Sequence, residues 1–189
     1  FGYSNQAIST GQLEVQVQPE TDDLLTALRK VETAENGTFF IAANGDATFR
    51  DRNYRLTNTT TPSATFGQGV GDLPYVDIVS SYDDNKIVNT VQRTRTGGST
   101  QIAIDSDSVE RFGAHVLTES ATLNVNDANA LSIADQKVVA NSIPQTTVQS
   151  LSFAPQQNVN LWSKALGLDI GSFVEAKVTT PSSTVETYD

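Results

Sequence analysis

The residues of this chain that could take part in chemistry are a single histidine, three groups of aspartates and one glycine-rich segment. His115 shares one side of a predicted β-strand with Leu117 and Glu119. Besides a histidine, a serine hydrolase needs a nucleophile elbow such as Gly-x-Ser-x-Gly or an equivalent oxyanion loop. Because the sequence has neither, we expect no catalytic role for His115 and predict that the chain is not an enzyme.

The aspartates that could bind a metal occur as Asp22-Asp23, Asp83-Asp84, and Asp105 with Asp107. An EF-hand calcium loop needs oxygen ligands at alternate positions, a central glycine and a closing glutamate. The segment 105–108 supplies only the opening of that pattern, and a helix N-cap explains the same residues. A glycosidase needs two carboxylates held several ångströms apart in a cleft, and any acidic sequence offers such pairs. We therefore interpret the aspartates as helix caps and predict no metal site and no cofactor.

Two further motifs are better explained by turns. Gly67-x-Gly69-x-Gly71 is spaced like a phosphate-binding loop, but it follows a threonine-rich coil and does not open a helix. We interpret it as a flexible connection. Asn36-Gly37-Thr38 and Asn58-Thr59-Thr60 match the N-glycosylation pattern, and in a cysteine-free acidic chain we interpret both as turns.

The composition excludes several classes of protein. The 189 residues contain 22 acidic and 12 basic side chains, for a net charge of -10, which argues against gripping nucleic acid or an anionic membrane. The absence of cysteine excludes disulfides, zinc-thiolate sites and cysteine nucleophiles. No apolar run approaches the roughly 20 residues that span a bilayer, so no membrane anchor is predicted.

Two longer helices and two short ones are predicted from caps and apolar periodicity. The first runs from Asp22 to Glu35, capped by Thr21 and ended by Asn36-Gly37, and the second from Asp127 to Asn141 after Asn126. The expected buried stripes are Leu24, Leu25, Leu28 and Val31 on the first helix, and Ala130, Leu131, Ala134, Val138 and Val139 on the second. The short helices are predicted at Asp107–Phe112 and Asn160–Gly167, the latter anchored by Trp162.

Two hairpins and several further strands complete the prediction. The central hairpin joins Lys86–Arg95 to Ser99–Ile104 through a two-residue turn at Gly97-Gly98. Its expected register pairs Val91 with Ile104 and Arg93 with Ile102, which would place Ile87, Val91, Ile102 and Ile104 on one apolar face. A second hairpin pairs Thr38–Ala42 with Ala47–Asp51 across Asn44-Gly45. The further predicted strands are Leu13–Val17, Ala114–Ser120, Thr147–Phe153 and Ile170–Thr179.

The order of these signals, from about Thr21 to Val178, resembles that of minor tail proteins and baseplate hub proteins of long-tailed bacteriophages. The features that carry the resemblance are Tyr75-x-Asp77, Ser81-Tyr82-Asp83-Asp84 before a strand, Gly97-Gly98, an Asp-Ser-x-Ser helix ending at Arg111-Phe112-Gly113, and a later helix before Pro144. The resemblance implies tail-tube-like β-barrel domains, a homotrimer, and contacts to a distal tail ring, tape measure and fibres. It also implies a place at the tail tip of the virion.

We expect an α+β fold of mostly antiparallel strands, with barrel-like elements, two longer helices and short capped helices. The expected domains are a strand-helix-hairpin lobe at 1–56, a linker or ordered loop at 57–74, and a β-rich barrel-like lobe at 75–189 that is incomplete at its C-terminus. The expected function is structural: part of the ring that closes the tail tube and lines a channel through which DNA passes without being specifically bound. The alternative is an extracellular or virion-surface binding module or adhesin, whose polar, threonine-rich strands would have a similar sequence.

Overall fold

A computed structural model of the chain describes residues 6–16, 23–54, 57, 61–82, 86–179 and 185–188. The fold is α+β, as predicted. In chain order its elements are β1 (Gln6–Ile8), α1 (Leu24–Glu35), β2 (Thr38–Ile41), β3 (Ala47–Arg50), β4 (Ala64–Phe66), β5 (Asp77–Tyr82), β6 (Thr90–Arg95), β7 (Thr100–Ile104), α2 (Ser106–Phe112), β8 (Val116–Thr122), α3 (Asp127–Asn141), β9 (Thr146–Ser152), a 3-10 helix (Pro155–Gln157), α4 (Val159–Gly167), β10 (Val174–Thr179) and β11 (Val185–Tyr188).

The chain divides into two compact units, each built from two separate stretches of sequence. The first unit combines Phe1–Asn53 with Asp83–Gln145, and the second combines Tyr54–Tyr82 with Thr146–Asp189. This division differs from the expected one, because the segment 57–74 contributes strand β4 to the second unit instead of linking two lobes.

Helix α1 of the first unit ends at Glu35 as predicted, but it begins at Leu24, two residues later than predicted, and its N-cap is Asp23. The Asp23 carboxylate accepts a hydrogen bond from the Thr26 N–H at 3.1 Å, and Asn36 adopts the left-handed conformation that ends a helix. The expected cap Thr21 lies outside the described residues. The predicted buried stripe is wrong at its start, because Leu24 is 77% exposed and Leu25 is also exposed. The buried part of α1 is its last turn, where its side chains form hydrogen bonds with other segments.

Strands β1, β3 and β2 form one sheet in that order, with β1 parallel to β3 and β2 antiparallel to it. The β2–β3 hairpin is confirmed, but its predicted two-residue turn is wrong. Ile41 faces Ala47, and Gly45, with φ of 88°, donates a hydrogen bond to the Ala42 carbonyl. The strand predicted at Leu13–Val17 is reduced, in the part described, to a single bridge between Val15 and Asn124.

Strands β7, β6 and β8 form a second sheet, and its hairpin is shifted by one residue from the predicted register. The turn is closed by a bond from the Gly98 N–H to the Arg95 carbonyl, and only Gly97 of the glycine pair has a positive φ. Val91 therefore faces Ala103 instead of Ile104. Because a shift of one residue exchanges the two faces of a strand, Ile104 lies on the open face and is 57% exposed.

Helix α3 covers the other face of this sheet and confirms the predicted helix Asp127–Asn141. The Asn126 side chain caps it by accepting a bond from the Asn129 N–H at 2.8 Å. The core between helix and sheet consists of Val91, Ala103, Ala134 and Val138, with Val88, Leu117 and Leu131 packed around it. The predicted stripe is wrong at Val139, which is exposed, while Ile133 is buried instead.

The second unit contains two small sheets and helix α4. Strands β5 and β9 pair antiparallel, and β10 pairs with β11 antiparallel and with β4 parallel. The predicted strand Thr147–Phe153 is confirmed as β9, and Ile170–Thr179 is confirmed in its second half as β10. Strands β4, β5 and β11 were not predicted. The core is built from Ala64, Phe66 and Leu161, and the rings of Phe66 and Phe153 lie 5.0 Å apart.

Two expectations about the second unit and the sheets are wrong. Trp162 does not anchor helix α4, because it is 51% exposed and the neighbouring Leu161 is fully buried. The described strands form no closed barrel; they form four sheets of two or three strands each. In a closed barrel every strand pairs with a neighbour on both sides, whereas β7 and β8 are the edge strands of their sheet.

Candidate functional site

An acidic concavity in the first unit contains the aspartates that could have bound calcium. It has a volume of 460 Å³ and is lined by Ile104, Asp105, Ser106, Asp107, Asp135, Val138 and Val139. The Asp105 carboxylate accepts a bond from the Ser108 N–H at 3.0 Å, which caps α2 and is the main cause of the lowered pKa of Asp105. The capping interpretation is therefore confirmed for Asp105. Among the residues described, no group of three or more acidic, histidine or cysteine side chains could hold a metal ion.

His115 belongs to a polar cluster at the connection between α2 and β8. Its ring Nε2 lies 3.2 Å from the Phe112 carbonyl, and its backbone N–H donates to the Asn89 side-chain carbonyl at 2.8 Å. The Asn89 amide donates in turn to Gly113 and Ser108. The Ser108 hydroxyl donates to the Ser142 carbonyl, so it is directed toward backbone and not toward the histidine. Asn89 is the centre of this cluster, and no sequence motif indicated it.

The glycine-rich segment of the second unit encloses a carboxylate of its own. The Gly69 N–H donates to the Asp72 carboxylate at 3.2 Å, and Lys177 lies 3.4 Å from the other oxygen. A Cβ atom added to Gly67 would lie 2.5 Å from the same carboxylate. The glycines therefore allow Asp72 to fold back into the loop.

The remaining candidate residues either lie at the ends of helix α1 or lie outside the described residues. Asn36 of the first glycosylation motif ends helix α1, and Asp23 begins it. Asp22, Asp83-Asp84 and Asn58 lie outside the described residues.

An extensive polar network among the described residues of the first unit is centred on Arg93, which is fully buried. Its guanidinium pairs with Glu119, and it donates to the Asn124 side chain at 3.2 Å and to the Thr33 carbonyl at 2.6 Å. A second oxygen of Glu119 accepts from Lys137 of α3 at 2.5 Å. Burial lowers the pKa of Arg93, and Glu119 opposes this effect. The network therefore ties the end of α1 to strand β8 and helix α3.

Three large apolar side chains are exposed along one side of helix α4 in the second unit. Val159, Trp162 and Leu166 recur along one side of helix α4, while Leu161 faces the core. This spacing places the three side chains on one helical stripe. We name this set the α4 stripe. In contrast with the carboxylate clusters, it is the kind of surface that binds another protein.

Comparison of the chain with models of protein families gave no match, and neither did a comparison with curated proteins. None of the described helices is both long and apolar enough to cross a bilayer.

Proposed function

We propose that this chain is a structural component of the tail tip of a long-tailed bacteriophage. In this proposal it forms part of a threefold ring that closes the tail tube, with contacts to a distal tail ring, the tape measure and fibres. The order of sequence signals from about Thr21 to Val178 supports the proposal. No catalytic residue, metal or cofactor enters it.

The observation that carries the proposal is the α4 stripe. Trp162 is half exposed and both Val159 and Leu166 are more than three-quarters exposed, although burying such side chains stabilises a protein by about 1.5–3 kcal/mol each. A single exposed apolar residue is ordinary, but a run of three on one helix is typical of an interface with another protein. Such exposed apolar side chains are expected in a subunit that buries them only when it assembles with other subunits.

The distribution of charge supports a role for this chain in lining a channel through which DNA passes without being bound. Several basic side chains are neutralised within the chain: Arg29 by Glu32, Arg93 and Lys137 by Glu119, Arg95 by Asp127, and Lys177 by Asp72. Phosphate binding depends on basic groups that can release counterions from DNA. With a net charge of -10 and these cations already paired, the chain repels a phosphate backbone.

The experiment that tests the proposal is immunogold electron microscopy of phage particles from the cells that encode this chain. We expect gold at the tip of the tail. The double variant Trp162→Ser/Leu166→Ser should be depleted from particles, because it removes the apolar contact area of the α4 stripe. Asn160→Ala, an exposed polar position on the same helix, is the matched control and should enter particles normally.

Two outcomes would overturn the proposal. Gold on the cell surface, with none on particles, would favour the adhesin. Normal incorporation of the Trp162→Ser/Leu166→Ser variant would show that the α4 stripe is not an assembly surface.

A further inference from the structure

Strand β7 is an edge of the β7-β6-β8 sheet, and its outer side pairs with no described strand. The backbone bonds of an antiparallel pair alternate along the two strands. Since the Asp105 N–H donates to the Asn89 carbonyl at 2.9 Å, every second residue before Asp105 also bonds to β6. The residues between them direct their N–H and C=O groups away from β6, and these are Thr100, Ile102 and Ile104. Their backbone groups form a row on the outer edge that a further strand can bind.

This edge has none of the features by which natural proteins block the addition of a strand. Such features are charged side chains, prolines and β-bulges. Strand β7 contains no charge and no proline, its pairing with β6 is regular, and Ile102 and Ile104 are both more than half exposed. The opposite edge strand, β8, carries Glu119, and its register with β6 shifts between Arg93 and Arg95. Of the two edges of this sheet, β7 is therefore the one open to a partner strand.

The acidic concavity is lined by the end of β7, the start of α2 and one side of α3. Its apolar part includes Val138 and Val139, and Val139 is 82% exposed. Its carboxylates belong to Asp105, Asp107 and Asp135. Asp105 caps α2, whereas Asp107 and Asp135 are exposed and form no ion pair within the described part of the chain. Apolar side chains beside unneutralised carboxylates fit a lysine or arginine, which has an aliphatic stem and a cationic head.

We propose that the outer edge of β7 binds an extended segment of a partner protein, with a basic side chain of that segment in the acidic concavity. Residues opposite each other on neighbouring strands share a face of the sheet. Because Ala103 faces α3 in the core, a partner residue opposite Ala103 points to the α3 side, where Val139 and Asp135 lie. The residues next to it in the segment point to the other face and cover Ile102 and Ile104. The backbone edge thus sets the direction of the segment, and the concavity selects its charge.

A second copy of this chain is a poor occupant of the same edge. Each copy has a net charge of -10 and would bring a second group of carboxylates to the first, and such like-charge contacts are unfavourable. A basic segment instead neutralises Asp107 and Asp135. This inference does not depend on the phage-tail proposal, because β7 lies in the first unit and the α4 stripe lies in the second.

The test is a titration of the isotope-labelled full-length chain with two short blocked peptides, followed by NMR. Both peptides alternate threonine and valine, and they differ only in a central lysine or glutamate. With the lysine peptide at about ten times its Kd, amide hydrogen exchange at Thr100, Ile102 and Ile104 should slow about tenfold. The amides of Gln101 and Ala103, which already bond to β6, should change little. The glutamate peptide should bind about fivefold more weakly, which is the effect of one exposed ion pair.

Two pairs of variants separate the backbone edge from the concavity. Ile102→Pro removes an N–H that makes no bond to β6, so it should abolish binding of the lysine peptide. Its control is Thr118→Pro, which makes the same change on the outer edge of β8 and should leave binding unchanged. Asp135→Lys, on the exposed surface of α3, should reverse the preference and favour the glutamate peptide. Its control is Glu110→Lys, at an exposed position outside the concavity, which should keep the preference for lysine.

Three outcomes would overturn the inference. Unchanged exchange at the three outward amides would show that β7 accepts no strand. Equal loss of binding in Ile102→Pro and Thr118→Pro would show that the peptide does not select this edge. Equal affinity for the two peptides, or an unchanged preference in Asp135→Lys, would show that the concavity does not select a basic residue. The Asp135→Lys result decides the matter even where Ile102→Pro fails to fold, because it leaves the backbone of the sheet intact.

Discussion

Replacing Arg93 with methionine should destabilise the first unit severely. The guanidinium of Arg93 is fully buried and donates to Asn124 and the Thr33 carbonyl while pairing with Glu119. Methionine keeps much of the apolar volume but leaves the Thr33 carbonyl without this donor, which costs about 1–3 kcal/mol. Loss of the charge-assisted bond to Glu119 adds about 1.5–3 kcal/mol, although Lys137 still neutralises that carboxylate. A total of about 4 kcal/mol agrees with the known cost of breaking a buried ion pair.

The assay for this prediction is urea unfolding followed by hydrogen exchange in peptides from α1 and β8. With a denaturant dependence of about 2 kcal/mol per molar urea, 4 kcal/mol moves the midpoint by about 2 M. The chain's single tryptophan lies in the second unit, so its fluorescence serves as an internal reference that should shift less.

The matched control is Arg95→Met in the same strand. Arg95 pairs with Asp127 at 2.5 Å, but both side chains are partly exposed, and such a pair contributes at most about 1 kcal/mol. If Arg93→Met lowers the midpoint no more than Arg95→Met does, the Arg93 network does not stabilise the fold.

Three smaller predictions follow from particular backbone and side-chain positions. Ala121 has a φ of 55°, so Ala121→Gly should stabilise the chain by about 1 kcal/mol in urea unfolding, whereas Ala140→Gly on the exposed side of α3 should cost about as much. Gly67→Ala should lower the melting temperature because its Cβ would lie 2.5 Å from a carboxylate oxygen, while Gly167→Ala, with open space around it, should not. The bond from the Ser108 N–H lowers the pKa of Asp105 in the folded state. The contribution of this carboxylate to stability is therefore fully present above the usual pKa of 3.8 and is lost as the pH falls through the folded-state pKa. Asp105→Asn should reduce this loss of stability in acid, as measured by pH-dependent unfolding.

Each of these predictions has an outcome that would contradict it. A loss of stability in Ala121→Gly would mean that its conformation is not strained. Equal melting temperatures for Gly67→Ala and Gly167→Ala would mean that the Asp72 loop adapts freely. An unchanged acid transition in Asp105→Asn, which can still cap the helix, would assign the pH dependence to other groups.

Local features of the fold were predictable because their causes lie within a few residues of sequence. An N-capping bond joins a side chain to the N–H group three residues later, so Asn126 and Asp105 marked helix starts that the structure confirms. Asn36 marked the end of α1 because asparagine accepts the left-handed conformation of a C-cap. The two hairpins were recognised for the same reason, since each places a glycine beside strand-forming residues. The absence of a calcium pattern and the capping role of Asp105 were also apparent in the sequence.

The register of the central hairpin was decided by tertiary structure. The glycine pair allowed more than one turn, and the sequence offered two apolar faces that differ by one residue. Packing of α3 against Val91 and Ala103 selects the shorter side chain beneath the helix and leaves Ile104 exposed. A choice of this kind depends on the shape of a partner that is distant in sequence.

The candidate surfaces were even less predictable from sequence, because they depend on which polar groups become buried together. No sequence signal gave Arg93 a role, yet carbonyl groups at the end of α1, 59 and 60 positions earlier, hold it in the interior. In the sequence Glu35 marks only the end of α1, and it is the tertiary structure that brings the N–H groups of Gln12 and Leu13 to its carboxylate. By itself the sequence determined the helix caps at Asn36, Asp105 and Asn126, the positions of the two hairpins and the acidic charge, whose causes are local or additive. Burial of a charged group is favourable only when its partners arrive from elsewhere in the chain, and that condition is met in the tertiary structure alone.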